Sequence, residues 1–493
     1  MADTPVRGLA RLFLRKSVSQ VQAEYAQGEL KRTLGAVNLV LLGIGCIIGA
    51  GIFVRTGTAA ALHAGPAVML SFVIAGVICG LAGLCYAELA SVLPVSGSAY
   101  TYSYATLGEF AAWIMGSLLL LEYGLAASVV AVGWSGYVVS FLADLGLVIP
   151  PALTAPMGHL VTTADGQTVS ALFNLPAALV VLALASLLVL GVSESATVNN
   201  VIVAIKVIVI LAFIAVGAFF VDPDNWTPFI PEPTGEPGEF GWEGVLRAAT
   251  IVFFAYIGFE AVSTAGQEAR NPKRDLPIGI IGSLLICTAL YMATAAVLTG
   301  VVPYTQLNSP APVADAVNAF GAEWKWLAVA IKIGAIAGLT SVILVLMYGQ
   351  TRIFYTMSRD GLLPSGLAKV HPKFQTPWIN TIITAVMVAA AAGLFDINTI
   401  GDLTSVGTLA AFAIVCVSVI WLRETRPDLE RGFKVPLYPA LPALGIASCL
   451  FLIFQVETRV QMFFLYFLAA AVVCYFAYGM RNSKLARGRG AAP

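Results

Sequence analysis

Two short stretches of the chain carry residue types that could do chemistry where chemistry is least expected. "IIGAGIF" occupies residues 47–53 and sets Gly49, Ala50 and Gly51 between Ile47 and Ile52, inside a strongly apolar run. "FFAYIGFE" occupies 253–260 and sets Gly258 and the carboxylate of Glu260 after Phe253, Phe254 and Ile257. A helix interrupted at such glycines releases backbone groups that cost several kcal/mol each if left unpaired in hydrocarbon. The half-helix starting at Ala50, Gly51 and Ile52 offers N–H groups and a positive dipole end, which suit a carboxylate. The carbonyls released before the breaks, those of Ile47, Phe253, Phe254 and Ile257, suit an ammonium. Donors and acceptors a few ångströms apart match the two charged ends of an α-amino acid.

Charged residues inside apolar runs are the second set. Lys206 lies in "NNVIVAIKVIVILAF" (199–213) and Glu122 lies centrally in the third apolar run. A lysine in hydrocarbon costs a few kcal/mol or more and is a functional candidate by default. Snorkelling competes, because Lys206 is only about 9 Å inward of Asn200 at the rise of a helix. Residues 199, 202, 206, 213 and 217 form one stripe whose Asn199 and Gly217 suit a protein-facing side, which favours function. Glu122 is a candidate for a proton path or for neutralising a cationic side chain, with a buried structural partner as the alternative. Glu260 could face a substrate side chain, but capping and holding the unwound segment, or assisting gating, is the better expectation. Glu88 and Glu109 read as loop anchors near span ends, and Lys332 as a snorkelling residue.

These residues need elements to position them. The chain has 493 residues, 59% of them hydrophobic and 11% charged, with a mean hydropathy of +0.87. Apolar stretches of roughly 20 residues recur about a dozen times, each long enough to cross a hydrocarbon layer of about 30 Å. The expected fold is an all-α integral membrane protein with about twelve transmembrane helices. The third stretch, 104–142, is too long for one upright span, so it is tilted, broken or overruns the bilayer. With an even number of spans both termini share a side. That side receives most of the 27 basic residues, including Arg270, Lys273, Arg274, Arg423, Arg426 and Arg431, while the opposite loops carry Asp222, Asp224, Glu232, Glu236, Glu239 and Glu243. The positive-inside bias therefore places both termini in the cytoplasm.

The breaks at 49–51 and near 258 are separated by four intact spans, and their helices run in opposite directions. Matched interruptions in two halves of opposite orientation point to an inverted repeat with a binding site at the bilayer midplane. Close packing of small residues explains "GVICG" (76–80). The organisation expected is a cytoplasmic amphipathic segment at 1–35, a first five-helix repeat at 36–221 and a second at 242–421. Helices 11 and 12 follow at 439–480, and then a basic tail at 481–493. "RLFLRKSVSQVQAEY" reads as a basic amphipathic helix on the membrane surface, and residues 1–35 are too charged for a signal peptide.

The seven cysteines fall inside spans without CxxC spacing and read as packing residues. His63, His159 and His371 are scattered, so no metal site is expected. Asn225 begins a formal glycosylation sequon, a weak signal. The sequence shows no clustered ligand set, no GxSxG and no phosphate loop, which argues against an enzyme. The short stretch after the last span argues against a membrane receptor.

The segments 30–53, 86–109 ("YAELASVLPVSGSAYTYSYATLGE"), 253–280 and 348–364 ("YGQTRIFYTMSRDGLLP") together resemble the amino acid–polyamine–organocation superfamily. Within it, the chain is most similar to the cationic amino acid transporter branch in its twelve-span prokaryotic form. The resemblance covers residues 28–480. It implies a five-plus-five inverted repeat with broken helices 1 and 6, two extra helices, and alternating access with an L-amino acid held between helices 1, 3, 6 and 8. It makes Phe254 a gate over the substrate. It puts the Lys206 ammonium where sodium-coupled relatives hold their cation, near the Gly45 carbonyl and the hydroxyls of Thr340 and Ser341. Burial lowers a lysine's hold on its proton, so proton-coupled symport with Lys206 as carrier is the expected mechanism, and proton-independent exchange is its rival. Thr340, on a helix facing the substrate side chain, leaves room for a long or cationic one. No cofactor beyond the coupling proton, no nucleic acid, and a place in the cytoplasmic membrane complete the expectation.

Overall fold

The computed structural model describes residues 8–17, 32–94, 98–162, 168–191, 196–266 and 268–488. Twelve helices of 12 residues or more follow in chain order among them: α1 (Ala36–Ile47), α2 (Val68–Val92), α3 (Glu109–Asp144), α4 (Leu175–Val189), α5 (Ala196–Gly217), α6 (Gly241–Phe253), α7 (Pro272–Val301), α8 (Lys325–Arg359), α9 (Trp378–Leu394), α10 (Ile397–Thr425), α11 (Ala440–Phe454) and α12 (Thr458–Cys474). Eight helical stretches are long and apolar enough to cross a membrane, and α1, α4, α9 and α11 are shorter apolar helices. The chain is an all-α membrane protein, with two small β features among the described residues that the sequence did not announce: a parallel bridge between Leu34 and Ala269, and a short strand pair. Leu160–Thr162 pairs antiparallel with Thr168–Ser170 in a hairpin between α3 and α4.

The overlong third stretch is broken only near its start, and α3 still runs for 36 residues without interruption. Ser98–Thr106 ends before Gly108, whose φ of +109° turns the chain into α3. A side chain at 108 would also meet the backbone of Phe13, so glycine serves both the turn and the close approach. The core is built where α3 packs on α8 and α10, and where α7 packs on α1 and α2. The outer helices bury little: α12 buries Val460, Phe464 and Ala471, and turns Leu465, Tyr466 and Val473 outward. In a water-soluble protein such a surface would be a liability, but in a bilayer it is the lipid face.

The N-terminal amphipathic helix is not formed over the described residues. Gly8–Phe13 is a single 3₁₀ stretch, and residues 14–17 follow without helix; 18–31 lie outside the described residues. This segment is held by protein. Leu14 O accepts from Glu109 N at 2.8 Å, Lys16 Nζ pairs with Asp360 Oδ1 at 2.8 Å, and Arg11 donates to Met480 O at 3.2 Å. Arg11 and Lys16 are thus spent on a carbonyl and on Asp360, and Arg15 stacks over Trp421, where a membrane-surface helix would have left them for lipid headgroups.

Candidate functional site

Both expected interruptions are present. α1 stops at Ile47, Ile48 takes an extended conformation (φ −72°, ψ 100°), and the helix resumes at Gly51–Arg55 with wide, π-type turns. α6 stops at Phe253, passes through a 3₁₀ turn at Phe254–Tyr256, and is broken by Ile257 (ψ 130°) and left-handed Gly258 (φ +118°) before a second 3₁₀ stretch at Phe259–Ala265. The breaks touch through their main chains. A Cβ added at Gly51 would lie 2.2 Å from Ala255 Cα, and one at Gly258 would lie 2.8 Å from the carbonyl carbon of Cys46. Only glycine permits either crossing. Gly258 also needs its positive φ, which L side chains adopt at a cost.

The released main-chain groups are partly claimed by the protein. Tyr291, on α7, directs its hydroxyl at both Ile47 O (2.8 Å) and Ala255 O (2.9 Å), so one phenol ties the two breaks together. The Ile47 carbonyl, expected to await an ammonium, is therefore already engaged. Nothing in the sequence marks this contact, because Tyr291 reads as an ordinary aromatic in an apolar helix. On the far side of α1's break, Tyr137 of α3 donates to Phe53 O at 2.8 Å. Thr56 Oγ1 donates to Gly51 O at 3.0 Å. Phe254 O accepts from Ile257 N at 3.3 Å. By helix geometry the first N–H groups of the resumed helix, at Ala50, Gly51 and Ile52, point back toward the break without a partner four residues earlier. Eight of the nine substrate-binding candidates, Ile47, Gly49, Ala50, Gly51, Ile52, Phe253, Phe254 and Ile257, converge on this crossing and are buried; Thr340 does not.

Lys206 is buried, and Nζ donates to Gly45 O at 2.9 Å, one turn ahead of the first break. Its stem lies against Gly338 of α8, where a Cβ would come within 2.9 Å of Cε. It does not snorkel. Thr340 is not brought to the same place. Two residues along a helix is a turn of about 200°, so Thr340 faces away from Gly338, which meets Lys206, and from Val342, which lies 3.4 Å from the position of a Gly49 Cβ. Its hydroxyl accepts from Trp134 Nε1 at 2.9 Å and donates to Ile336 O at 2.7 Å. Val342 is the α8 side chain over the break.

Glu122 and Glu260 lie within electrostatic reach of each other. Glu260 accepts from Gly258 N at 2.9 Å, which holds the unwound turn as a cap would. Tyr123 lies beside it and Glu122 interacts with it electrostatically. Glu122 is fully buried on α3 with Thr408 of α10 as its other polar neighbour, and neither of its oxygens reaches a donor at hydrogen-bonding geometry. The Thr408 hydroxyl is spent on Thr404 O.

Glu88 and Glu109 do anchor loops. Glu88 receives Arg423 and the Val435 N–H (2.7 Å), and Glu109 receives Tyr104, Tyr475 and Ser483. Lys332 does not snorkel; it is buried and paired with Asp144 Oδ2 at 2.5 Å.

A third charge cluster escaped sequence reasoning. Arg55, at the end of the resumed α1 turn, pairs with Asp402 Oδ1 at 2.6 Å, and Arg247 of α6 donates to the other Asp402 oxygen. Asn398 accepts from Arg55 at 2.8 Å. All three charged groups are buried. They join the first broken helix after its break, and the second before its break, to the start of α10. Each sits near the end of an apolar run, where a charge reads as interfacial; the missed signal was two cations and one anion at the same end of three runs.

Two interrupted helices crossing inside a helical membrane protein, with paired intramembrane charges around them, form the apparatus of a solute permease. A family model described as amino acid permease matches residues 34–477. The methylthioribose transporter of Bacillus subtilis is 45% identical over 97% of this chain and all of its own length. The branched-chain amino acid permease BcaP of the same bacterium is 48% identical over 96% of this chain and 99% of its own. Cationic amino acid transporter 9 of Arabidopsis thaliana, chloroplastic, is 40% identical over 84% of this chain and 71% of its own. The chain belongs to the amino acid permease family, and it is a transporter rather than an enzyme.

Proposed function

We propose that the protein is a proton-coupled symporter that imports L-amino acids across the cytoplasmic membrane by alternating access. The observation that carries this reading is the main-chain crossing of the two breaks, Gly51 on Ala255 and Gly258 on Cys46. In this reading α1–α5 and α6–α10 form two inverted repeats, α11 and α12 are additions, all twelve helices span the bilayer, and both termini are cytoplasmic. The substrate carboxylate docks on the N–H groups of Ala50, Gly51 and Ile52. Its ammonium docks on the carbonyls around Phe253, Phe254 and Ile257, with Phe254 as the gate.

Lys206 carries the proton. Its contact with Gly45 O couples its charge to the position of α1, and Gly338 gives its stem a fitted channel. Glu122 and Glu260 form a second titratable pair beside the α6 break. Relatives named for branched-chain amino acids, cationic amino acids and methylthioribose all lie at 40–48% identity, so the test must span those chemistries. Purified protein in vesicles is given labelled leucine, arginine, alanine and methylthioribose, with and without an inward proton gradient. Gradient-stimulated uptake of an amino acid into empty vesicles is expected. Uptake only into vesicles preloaded with amino acid would identify an exchanger instead.

A further inference from the structure

α4 and α9 pack side by side, and neither carries a residue proposed for substrate or proton. Their outward faces enclose a groove of about 150 Å³, lined by Leu182, Ser186 and Val189 of α4 and by Ile382, Ala385 and Val386 of α9. Leu182, Ile382 and Val386 are 43%, 46% and 59% exposed, so the groove opens to the surroundings and not to the protein interior. Ser186 Oγ donates to Leu182 O at 2.8 Å, which spends its one donor, and the rest of the lining is apolar.

A loop of different chemistry closes one end of the groove. Val189, the last groove residue of α4, accepts from Thr376 Oγ1 at 2.7 Å, and a Cβ at Gly191 would lie 3.3 Å from Phe374 O. Trp378 opens α9 one turn before Ile382. The His371 ring stacks on Phe374 with centroids 4.6 Å apart and meets Trp378 edge-on at 6.1 Å. Lys373 Nζ stands 5.4 Å from the centre of the Phe374 ring. His371 Nδ1 accepts from the N–H groups of Lys373 and Phe374, both at 3.2 Å, so the ring proton is on Nε2 and a donor is left there. Lys369 and Lys373 are exposed, and among the described residues no acid pairs with them or with His371. α4 and α9 have 15 and 17 residues, about 22 and 25 Å as helices, short of a hydrocarbon layer of about 30 Å. The loop at their ends therefore lies at headgroup depth, where lysines and aromatic rings anchor short helices.

We propose that groove and loop together bind one anionic phospholipid, with an acyl chain between α4 and α9 and the phosphate at His371 Nε2 and the Lys373 ammonium. The orientation given under Proposed function makes this a lipid of the cytoplasmic leaflet. An acyl chain fits the apolar, outward-opening lining, and the phosphate meets a hydrogen-bond donor and a cation at the groove's closed end. A headgroup of net negative charge is favoured over a zwitterionic one, whose own ammonium would be repelled by Lys369 and Lys373. The seated lipid fastens the fourth helix of one proposed repeat to the fourth helix of the other, away from the crossing of the breaks.

The test is native mass spectrometry of the purified full-length protein, titrated with phosphatidylglycerol or with phosphatidylcholine carrying the same acyl chains. A first, saturable phosphatidylglycerol is expected, held more tightly than phosphatidylcholine and not displaced by excess inorganic phosphate. Lys373→Gln, in an exposed loop, should weaken phosphatidylglycerol by about 5-fold. Ser186→Phe, which fills the groove from an exposed position, should weaken both lipids. Equal affinity of the wild type for the two lipids would overturn the proposal, as would displacement of the lipid by phosphate. So would wild-type binding of phosphatidylglycerol by either variant. Transport plays no part in the readout, so a failure of this site is told apart from a failure of the proposed symport.

Discussion

Gly51 is the position at which the crossing of the two broken helices can be tested with a single methyl group. In Gly51→Ala the new Cβ would stand 2.2 Å from Ala255 Cα and 2.3 Å from Ala255 Cβ. Ordinary carbon contacts lie near 3.5–4.0 Å, so the two main chains must separate by about 1.5 Å. Neither neighbour is a flexible side-chain end that could swing aside, and overpacking of this kind costs about 1–3 kcal/mol. The larger effect is on geometry. Displacing one break by more than an ångström moves the N–H groups proposed for the carboxylate off the carbonyls proposed for the ammonium, and misplacements of that size cost on the order of 100-fold where both ends of a ligand must be gripped. Gly49→Ala is the internal control. Its Cβ would meet Val342 at 3.4 Å, an ordinary contact, so it should keep most of its activity although it lies in the same motif. Gly258→Ala combines a 2.8 Å clash with Cys46 and a φ of +118° and should be at least as damaging as Gly51→Ala. Initial uptake rates in vesicles, normalised to folded protein by gel filtration, give the comparison. Full activity in Gly51→Ala, or equal damage from Gly49→Ala, would refute the crossing as the basis of function.

Other substitutions probe the surrounding parts. Tyr291→Phe removes the hydroxyl shared by Ile47 O and Ala255 O, and should lower unfolding stability by about 1–3 kcal/mol and reduce uptake, as measured by denaturation and transport of the same preparation. Lys206→Ala should abolish uptake driven by a pH gradient while leaving equilibrium substrate binding measurable; intact gradient-driven uptake would remove Lys206 from the coupling role. Asp402→Asn strands two buried guanidinium groups and should destabilise by about 3–5 kcal/mol, whereas Glu457→Gln, on an exposed partner 3.8 Å away, should change stability little.

What could be read from the sequence was whatever breaks a rule within one segment. Gly49–Gly51 and Gly258 stand out because glycine is costly in a helix, and the structure does interrupt both helices there. Lys206 stands out because an ammonium is costly in hydrocarbon, and it is buried against Gly45 O. What could not be read were contacts made across segments by residues that break no rule. Tyr291 is an unremarked aromatic until folding brings its hydroxyl to two released carbonyls. Thr340 has the right chemistry for the site, but helical phase turns it toward Trp134 and leaves Val342 over the break. Arg55, Arg247 and Asp402 are each tolerable at the end of a span and become significant only as a trio. The N-terminal segment has an amphipathic composition, yet Asp360, some 340 residues away in sequence, claims its Lys16.

The most direct measurement compares equilibrium binding of the best-transported amino acid with that of its decarboxylated and deaminated analogues, by calorimetry on the purified protein. A site built from the N–H groups of one broken helix and the carbonyls of the other must hold both charged ends. Each analogue should therefore lose charge-assisted hydrogen bonds worth about 1.5–3 kcal/mol apiece, a weakening of at least 10-fold. Binding of either analogue as tightly as the parent amino acid would contradict the account.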